Sequence, residues 1–483
     1  MYLGLDLGTS GLRAVVADAS GTIIGSAEAA LTVEHPHQGW SEQDPDAWIA
    51  ALRAVMGTLK ADHASALRDV RSIGLAGQMH GAVVLGADDR PLRPCILWND
   101  TRSKAEAARL DGTPQVRALS GNIAFPGFTA PKLMWMAGHE PALFEQVAKA
   151  MLPKDYLRLY LTGEHVTDLS DAAGTAWCDV ANRQWSGLLL DVSGMRADQM
   201  PRLVEGSEVS GALRDAVADE LGLPQGVPVV GGGADNAAAA CGAGCVAEGQ
   251  GFVSLGTSGV VLAARDACSP DPASAVHTFC HALPGRWYQM GVTLAATDAL
   301  NWLGRITGAA PGEMAGALPA RPDGPCPIQF LPYLSGERTP HNDADIRGAF
   351  IGLDVAQDRS DLVAAVMQGV AFALRDSAEA LQGAGARLDH VLAVGGGTQS
   401  PYWVQVLANA LNLPMAKPAD GELGAALGAI RLAMLGDGHD AGAIMSAPEI
   451  AEVIEPDAAL TSAYDTSFAQ YRALYPKLKA ASP

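Results

Sequence analysis

Residues 5–11 read Leu-Asp-Leu-Gly-Thr-Ser-Gly, and residues 253–259 read Val-Ser-Leu-Gly-Thr-Ser-Gly. In both copies an aliphatic run enters a Gly-Thr-Ser-Gly turn and leaves into a second apolar run, so each spells a β-hairpin. Glycine leaves the turn amides open to close approach, and the hydroxyls of Thr9, Ser10, Thr257 and Ser258 add donors. One such turn alone reads as an ordinary hairpin. Two, half a chain apart, read as a duplicated domain whose turns face one another across a polyphosphate. The copies differ at one informative position, where Asp6 is replaced by Ser254. The single carboxylate suits Mg²⁺, which is usually held by one or two carboxylates plus substrate phosphates. A partner for turn amides is the plainer alternative for Asp6.

A chain of 483 residues exceeds one ordinary core, and the repeat favours two domains. With 48% apolar and 18% charged residues the chain is globular, and no apolar run approaches the ~18 residues of a membrane helix. The net charge of −20 argues against nucleic acid or an anionic membrane as partner. An anionic ligand must therefore be held locally, by turn amides, a few cations or Mg²⁺. Met1 leads directly into a strand with no secretory signal pattern, and the seven cysteines lack paired Cys-x-x-Cys spacing. Both features point to free thiols in the cytoplasm.

Along the chain, Asp44-Pro45 caps a helix on which Trp48, Ala51, Leu52, Val55 and Leu59 share one face. A strand over residues 70–76 ends in Gly77-Gln78-Met79-His80-Gly81, and strand ends of α/β sheets are where ligands collect. A short strand at residues 228–230 closes on Gly231-Gly232-Gly233-Ala234-Asp235-Asn236 before a helix of small residues. Asp235 there serves equally as a helix cap or as a base that takes a proton from an alcohol attacking a γ-phosphate. A strand at residues 391–394 likewise closes on Gly395-Gly396-Gly397, and the two triplets read as a further trace of the duplication. Trp98 and Trp40 offer apolar walls for a sugar, and His277-Thr-Phe-Cys280-His281 reads as structural rather than metal-binding. Neither a Gly-x4-Gly-Lys-Ser/Thr loop nor a Gly-x-Gly-x-x-Gly turn between strand and helix occurs, which disfavours a P-loop enzyme or a nucleotide-binding Rossmann domain.

The stretches MYLGLDLGTSGLR, HPHQGWSEQDPDAW, GQMHGAVVL, LRPCILWNDTR, PGFTAPKLMW, SDAAGTAWCDV, GGGADNAA, SLGTSG, FLPYLSGERTPH and VGGGTQSPYW, in that order, resemble the sugar kinases of the FGGY family over essentially the whole chain. The resemblance implies an α/β protein of two actin-like (ribonuclease H-like) domains, residues 1–243 and 244–483, with an ATP cleft between them. Matched by motif, Asp235 resembles the general base and Asp6 the carboxylate that assists through Mg²⁺. Met79, His80, Asp235 and Asn236 resemble pentulose contacts, with Trp98 a wall. Thr9, Ser10, Gly256, Thr257 and Ser258 would meet the phosphates, and Gly396 and Gly397 the adenosine. The implied reaction passes the ATP γ-phosphate to the 5-hydroxyl of D-xylulose, in a cytoplasmic homodimer serving xylose catabolism. Met79-His80 favours a ketopentose, because the family's glycerol kinases resemble an Arg-Glu pair there. A kinase for another ketose or a polyol is the neighbouring alternative. An actin-like ATPase switch and a sugar-binding protein without catalysis belong to other classes, and the second is opposed by the presence of both carboxylates. Ala234 stands where a further glycine or nothing is expected, and the tail beyond Pro448 matches poorly.

Overall fold

The computed structural model describes residues 1–419 and 424–481, built around two large mixed sheets. In the first, Ile23–Ala30, Gly11–Ala17 and Tyr2–Leu7 form an antiparallel meander. Ser72–Gly77 then pairs in parallel with Tyr2–Leu7, Pro228–Val230 in parallel with Ser72–Gly77, and Val209–Ala212 closes the edge antiparallel. The second sheet repeats this plan. Trp287–Thr293, Gly259–Arg265 and Gly249–Leu255 form the meander, followed by Leu388–Val394 and Met415–Pro418 in parallel and Ile450–Ile454 antiparallel. The meander and the two parallel strands beside it recur in both halves, as the paired turns predict, and both turns do join hairpin strands; the second sheet adds His277–Cys280 at its meander edge, and its outer antiparallel strand follows rather than precedes its neighbour in sequence.

The two glycine triplets are not equivalent within it. Gly395–Gly397 follows the strand beside its hairpin, the position held in the first half by Ser72–Gly77 and Gln78-Met79-His80. Gly231–Gly233 follows the next strand outward, the counterpart of Met415–Pro418. Close backbone approach accounts for Gly231, Gly232, Gly395 and Gly397, where a Cβ would lie within 2.0–2.8 Å of a neighbour, whereas Gly396 faces open space.

Helices Asp235–Ala243 and Ala425–Gly436 do occupy equivalent places, and they pack against each other. Small residues allow the contact: a Cβ on Gly428 would lie 1.7 Å from the Ala238 carbonyl oxygen. Ala425–Gly436 also lies on the first sheet, facing Gly4 and Gly74. A single apolar cluster accordingly runs from Tyr2 and Met79 through Ala237 to Phe252 and Ile430, joining the halves. The helix Pro45–Arg68 has Asp44 as cap, and its predicted face is buried throughout. Over residues 449–481 the tail is structured: Tyr464, Phe468 and Tyr471 of helix Thr461–Arg472 bury their rings around Phe372.

Candidate functional site

Two cavities meet between the sheets. The larger, 640 Å³, is lined by Asp6, Ser10 and Glu28 from the first half and by Gly395, Gly396, Thr398 and Gln399 from the second. Its remaining wall comes from the crossing helices, through Asp235, Asn236, Ala239, Gly424 and Ala425. The smaller, 310 Å³, is lined by Met79, His80, Trp98, Phe125, Phe128, His277, Met290 and Arg338, with Gly256, Thr257 and Ser258. That volume sits at the low end of ligand cavities. Asp235, Asn236 and Ser254 border both spaces. A groove of 740 Å³ elsewhere, lined by residues such as Thr22, Leu427 and Arg431, shares Arg13 with this region among the described residues.

Asp235 is the first residue of its helix, and the capping position belongs to Ala234, so the cap alternative is not realised. Its Oδ1 accepts from the Asn236 amide at 2.6 Å and from Asn236 Nδ2 at 2.9 Å. Oδ2 takes no hydrogen bond among the described residues, and Asp235 borders both cavities. Burial pushes the carboxyl up to about 6, partly offset by the two Asn236 hydrogen bonds. Asp6 lies in the strand Tyr2–Leu7, and burial, then the Asp235 charge, raises it to about 7 against the pull of Arg13. A half-buried carboxylate destabilised in this way accepts a hard cation readily, and one carboxylate beside a polyphosphate space fits Mg²⁺. Among the described residues no cluster of three or more His, Cys, Asp or Glu side chains forms a self-sufficient metal cage.

The loop before Asp235 is braced from below by buried charge. Arg158 donates to the Val230 carbonyl at 2.6 Å and to the Gly231 carbonyl. Ser170 Oγ accepts the Ala234 amide at 3.0 Å and donates to Asp168 Oδ2 at 2.5 Å. Lys154 stands 2.7–2.8 Å from Asp155, Asp168 and Asp171 with no solvent contact. Burial works against its charge, but the three carboxylates outweigh it and keep Lys154 protonated. Burial pushes the Asp171 carboxyl well above its ordinary value, against the pull of Lys154. Gly232, at φ 71°, is required here because a Cβ would lie 2.0 Å from the Leu75 carbonyl.

On the smaller cavity, His80 stacks on Phe128 at 4.6 Å, and its Nδ1 lies 2.6 Å from the Gly174 carbonyl. A carbonyl only accepts, so Nδ1 carries the proton and Nε2 is an acceptor. Burial lowers His80 to about 3, which keeps it neutral. Trp98 is 46% exposed at the cavity edge and donates to Thr9 Oγ1 at 3.0 Å.

Of the residues singled out in the sequence, Asp6, Ser10, Asp235, Asn236 and Gly396 gather on the larger cavity. Met79, His80, Trp98, Asp235 and Asn236 gather on the smaller one, joined there by Gly256, Thr257 and Ser258. Thr9 and Gly397 line neither. The Thr9 hydroxyl is committed to Trp98 and to Gln78 at 2.9 Å. Gly397 is turned inward, where a Cβ would meet that of Leu255 at 2.7 Å. Trp40 lies under the Arg102 guanidinium, 3.6 Å from its ring centre, and lines neither cavity. His277 has a structural contact, 3.3 Å from Asn122 Oδ1, yet also lines the smaller cavity. Phe125, Phe128 and Arg338 were given no role in the sequence reading, although the stretches PGFTAPKLMW and FLPYLSGERTPH contain Phe128 and Arg338.

The profile of the FGGY family of carbohydrate kinases, N-terminal domain, matches residues 1–242, and that of its C-terminal domain matches residues 251–436. The chain is 45% identical to the xylulose kinase of Escherichia coli (strain K12) and 43% identical to that of Klebsiella pneumoniae, over 99% of each chain. It superposes on the crystal structure of a xyloylose kinase from Brucella ovis with a TM-score of 0.98 and 54% identity, covering 99% of both chains.

Proposed function

The chain belongs to the FGGY family of carbohydrate kinases, and on that premise we propose that it transfers the γ-phosphate of ATP to the 5-hydroxyl of D-xylulose, giving D-xylulose 5-phosphate and ADP. The observation that carries the reading is the shared border of the two cavities at Asp235, Asn236 and Ser254. A ten-heavy-atom ketose suits the smaller space and a nucleotide the larger, so the acceptor hydroxyl and the γ-phosphate meet at one carboxylate.

Asp235 acts as the general base. Asn236 fixes Oδ1, so Oδ2 takes the hydroxyl proton as the sugar oxygen attacks phosphorus. A carboxyl raised to about 6 is ionised at neutral pH yet more basic than a solvated one. Asp6 would hold Mg²⁺, which when bound neutralises charge on the transferring phosphoryl oxygens. The turn at residues 8–11 supplies donors on the nucleotide side, with Gly395 and Gly396 backbone on the opposite wall. Met79, Phe125, Phe128, Val260 and Met290 provide apolar wall, and His80 Nε2 accepts a sugar hydroxyl. Closing the two sheets over the ligands excludes water, so ATP is spent on sugar rather than hydrolysed. A cytoplasmic homodimer belongs to the same reading, and light scattering of the purified chain tests the pairing. Among the described residues no helix is long and apolar enough to cross a membrane. Phosphorus and carbon NMR of the product formed from D-xylulose and ATP tests the reaction: phosphate coupling at C5 is expected, and coupling at C1 would refute the assigned orientation.

A further inference from the structure

We propose that Arg338 binds the sugar and sets its specificity, donating to the ketone oxygen at the end of the pentulose away from the transferred phosphate. This rests on the reading of the smaller cavity as the ketose site.

The segment carrying Arg338 is rigidly held. The buried Glu337 carboxylate accepts from the Thr293 hydroxyl at 2.6 Å, the Leu294 amide at 3.1 Å and the Arg338 amide at 2.7 Å. Thr339 donates its amide to the Val292 carbonyl at 3.0 Å and accepts the Val292 amide at 3.1 Å. Its hydroxyl donates to the Ala275 carbonyl at 3.0 Å. Arg338 is thereby fixed to the strand Trp287–Thr293 of the second sheet. Its side chain reaches across the cleft, with the guanidinium carbon 4.3 Å from the ring centre of Phe125 in the first half.

Apart from that ring contact, the N–H donors of the guanidinium have no protein partner among the described residues. Among the described residues no carboxylate lies within ion-pair distance of it, and no acceptor takes a hydrogen bond from it. Nor is there another lysine or arginine on the cavity wall. Burial lowers Arg338 to about 10, so it remains charged at neutral pH, and it lines the smaller cavity. Its position in the cavity selects the sugar end. Asp235 borders both cavities, whereas Arg338 borders only the smaller one, in company with His80, His277 and Phe125. A ketopentose with its 5-hydroxyl at Asp235 therefore directs C1 and C2 toward Arg338. Donor chemistry selects the atom. A guanidinium offers only donors, and the ketone is the one sugar oxygen that only accepts, while the acceptor His80 Nε2 is left for a hydroxyl.

The test compares wild type, Arg338→Met and Arg338→Lys in KM and kcat for D-xylulose, KM for ATP, and the inhibition constant of xylitol, which has a hydroxyl in place of the ketone. Arg338→Met is expected to raise KM for D-xylulose roughly 10²-fold with a smaller change in kcat and none in KM for ATP. Inhibition by xylitol should weaken only a few-fold, and Arg338→Lys should recover part of the loss. The ratio of the two sugar constants is internal to each variant, so loss of folded protein cancels from it. Equal weakening of D-xylulose and xylitol, or a rise in KM for ATP alone, would overturn the ketone contact. Wild type inactive on D-xylulose would instead refute the parent reading, before any variant is compared.

Discussion

Asp235→Asn separates the two consequences of burying the base. Asparagine keeps the shape but cannot take a proton, and losing a general base costs roughly 10²–10⁴ in kcat, or about 3–5 kcal/mol in the barrier. Stability should move the other way. Raising the carboxyl from its ordinary 3.8 to about 6 means that the folded chain holds the ionised form at a cost of up to about 3 kcal/mol. The folded state binds the proton more tightly than the unfolded one, so stability is lost as pH rises from about 4 through 6. The variant removes that loss. Urea unfolding at pH 8 should therefore show Asp235→Asn more stable than wild type by about 1–3 kcal/mol, with the two converging near pH 4. The upper figure shrinks if asparagine leaves the Asn236 donors poorly paired. Steady-state ADP release gives the rate term in the same preparations. Near-normal turnover, or a variant less stable at pH 8 than at pH 4 relative to wild type, would refute the argument that burial poises this carboxylate for catalysis.

Other perturbations follow from the same geometry. The wild-type profile of kcat/KM should fall below pH 6 as Asp235 protonates and should level above it; a profile flat from pH 5 to 8 would count against this base. Asp6→Asn should lower kcat roughly 10²-fold and raise the Mg²⁺ concentration for half-activation. KM for D-xylulose should hold, since Asp6 lines only the nucleotide side. Lys154→Met leaves three buried carboxylates short of their shared cation and should cost about 3–5 kcal/mol in denaturant unfolding.

The fold was legible because its deciding feature is local and repeated. Leucine, glycine and hydroxyl residues in the two turns sit at hairpin positions in both sheets, and the face of Pro45–Arg68 follows from helical spacing. What misled was a local pattern without topology: both glycine triplets end strands, but only strand order shows that they end different ones. The tail was opaque because its burial depends on aromatic residues meeting Phe372 from far along the chain. In the site, Asp235, Asp6 and His80 stood out as carboxylates or an imidazole at strand ends. The brace through Lys154, Arg158 and Ser170 did not, since its function appears only when residues more than 60 positions apart come into contact. Thr9 and Gly397 show the limit of carrying a motif over whole. Each turn reaches the cleft, yet which of its atoms face the ligand is decided by neighbours such as Trp98, Gln78 and Leu255.

In the proposed reaction the two cavities join one sugar hydroxyl to one nucleotide phosphate at Asp235. That junction is tested most directly by ADP release from ATP and Mg²⁺ with D-xylulose, D-ribulose, L-ribulose, L-xylulose, glycerol or no sugar. Strong stimulation by D-xylulose and little turnover without sugar are expected. Equal turnover with no sugar would contradict it and favour an ATPase switch, while stimulation by glycerol in preference to the ketoses would overturn the assignment of Met79, His80 and Arg338.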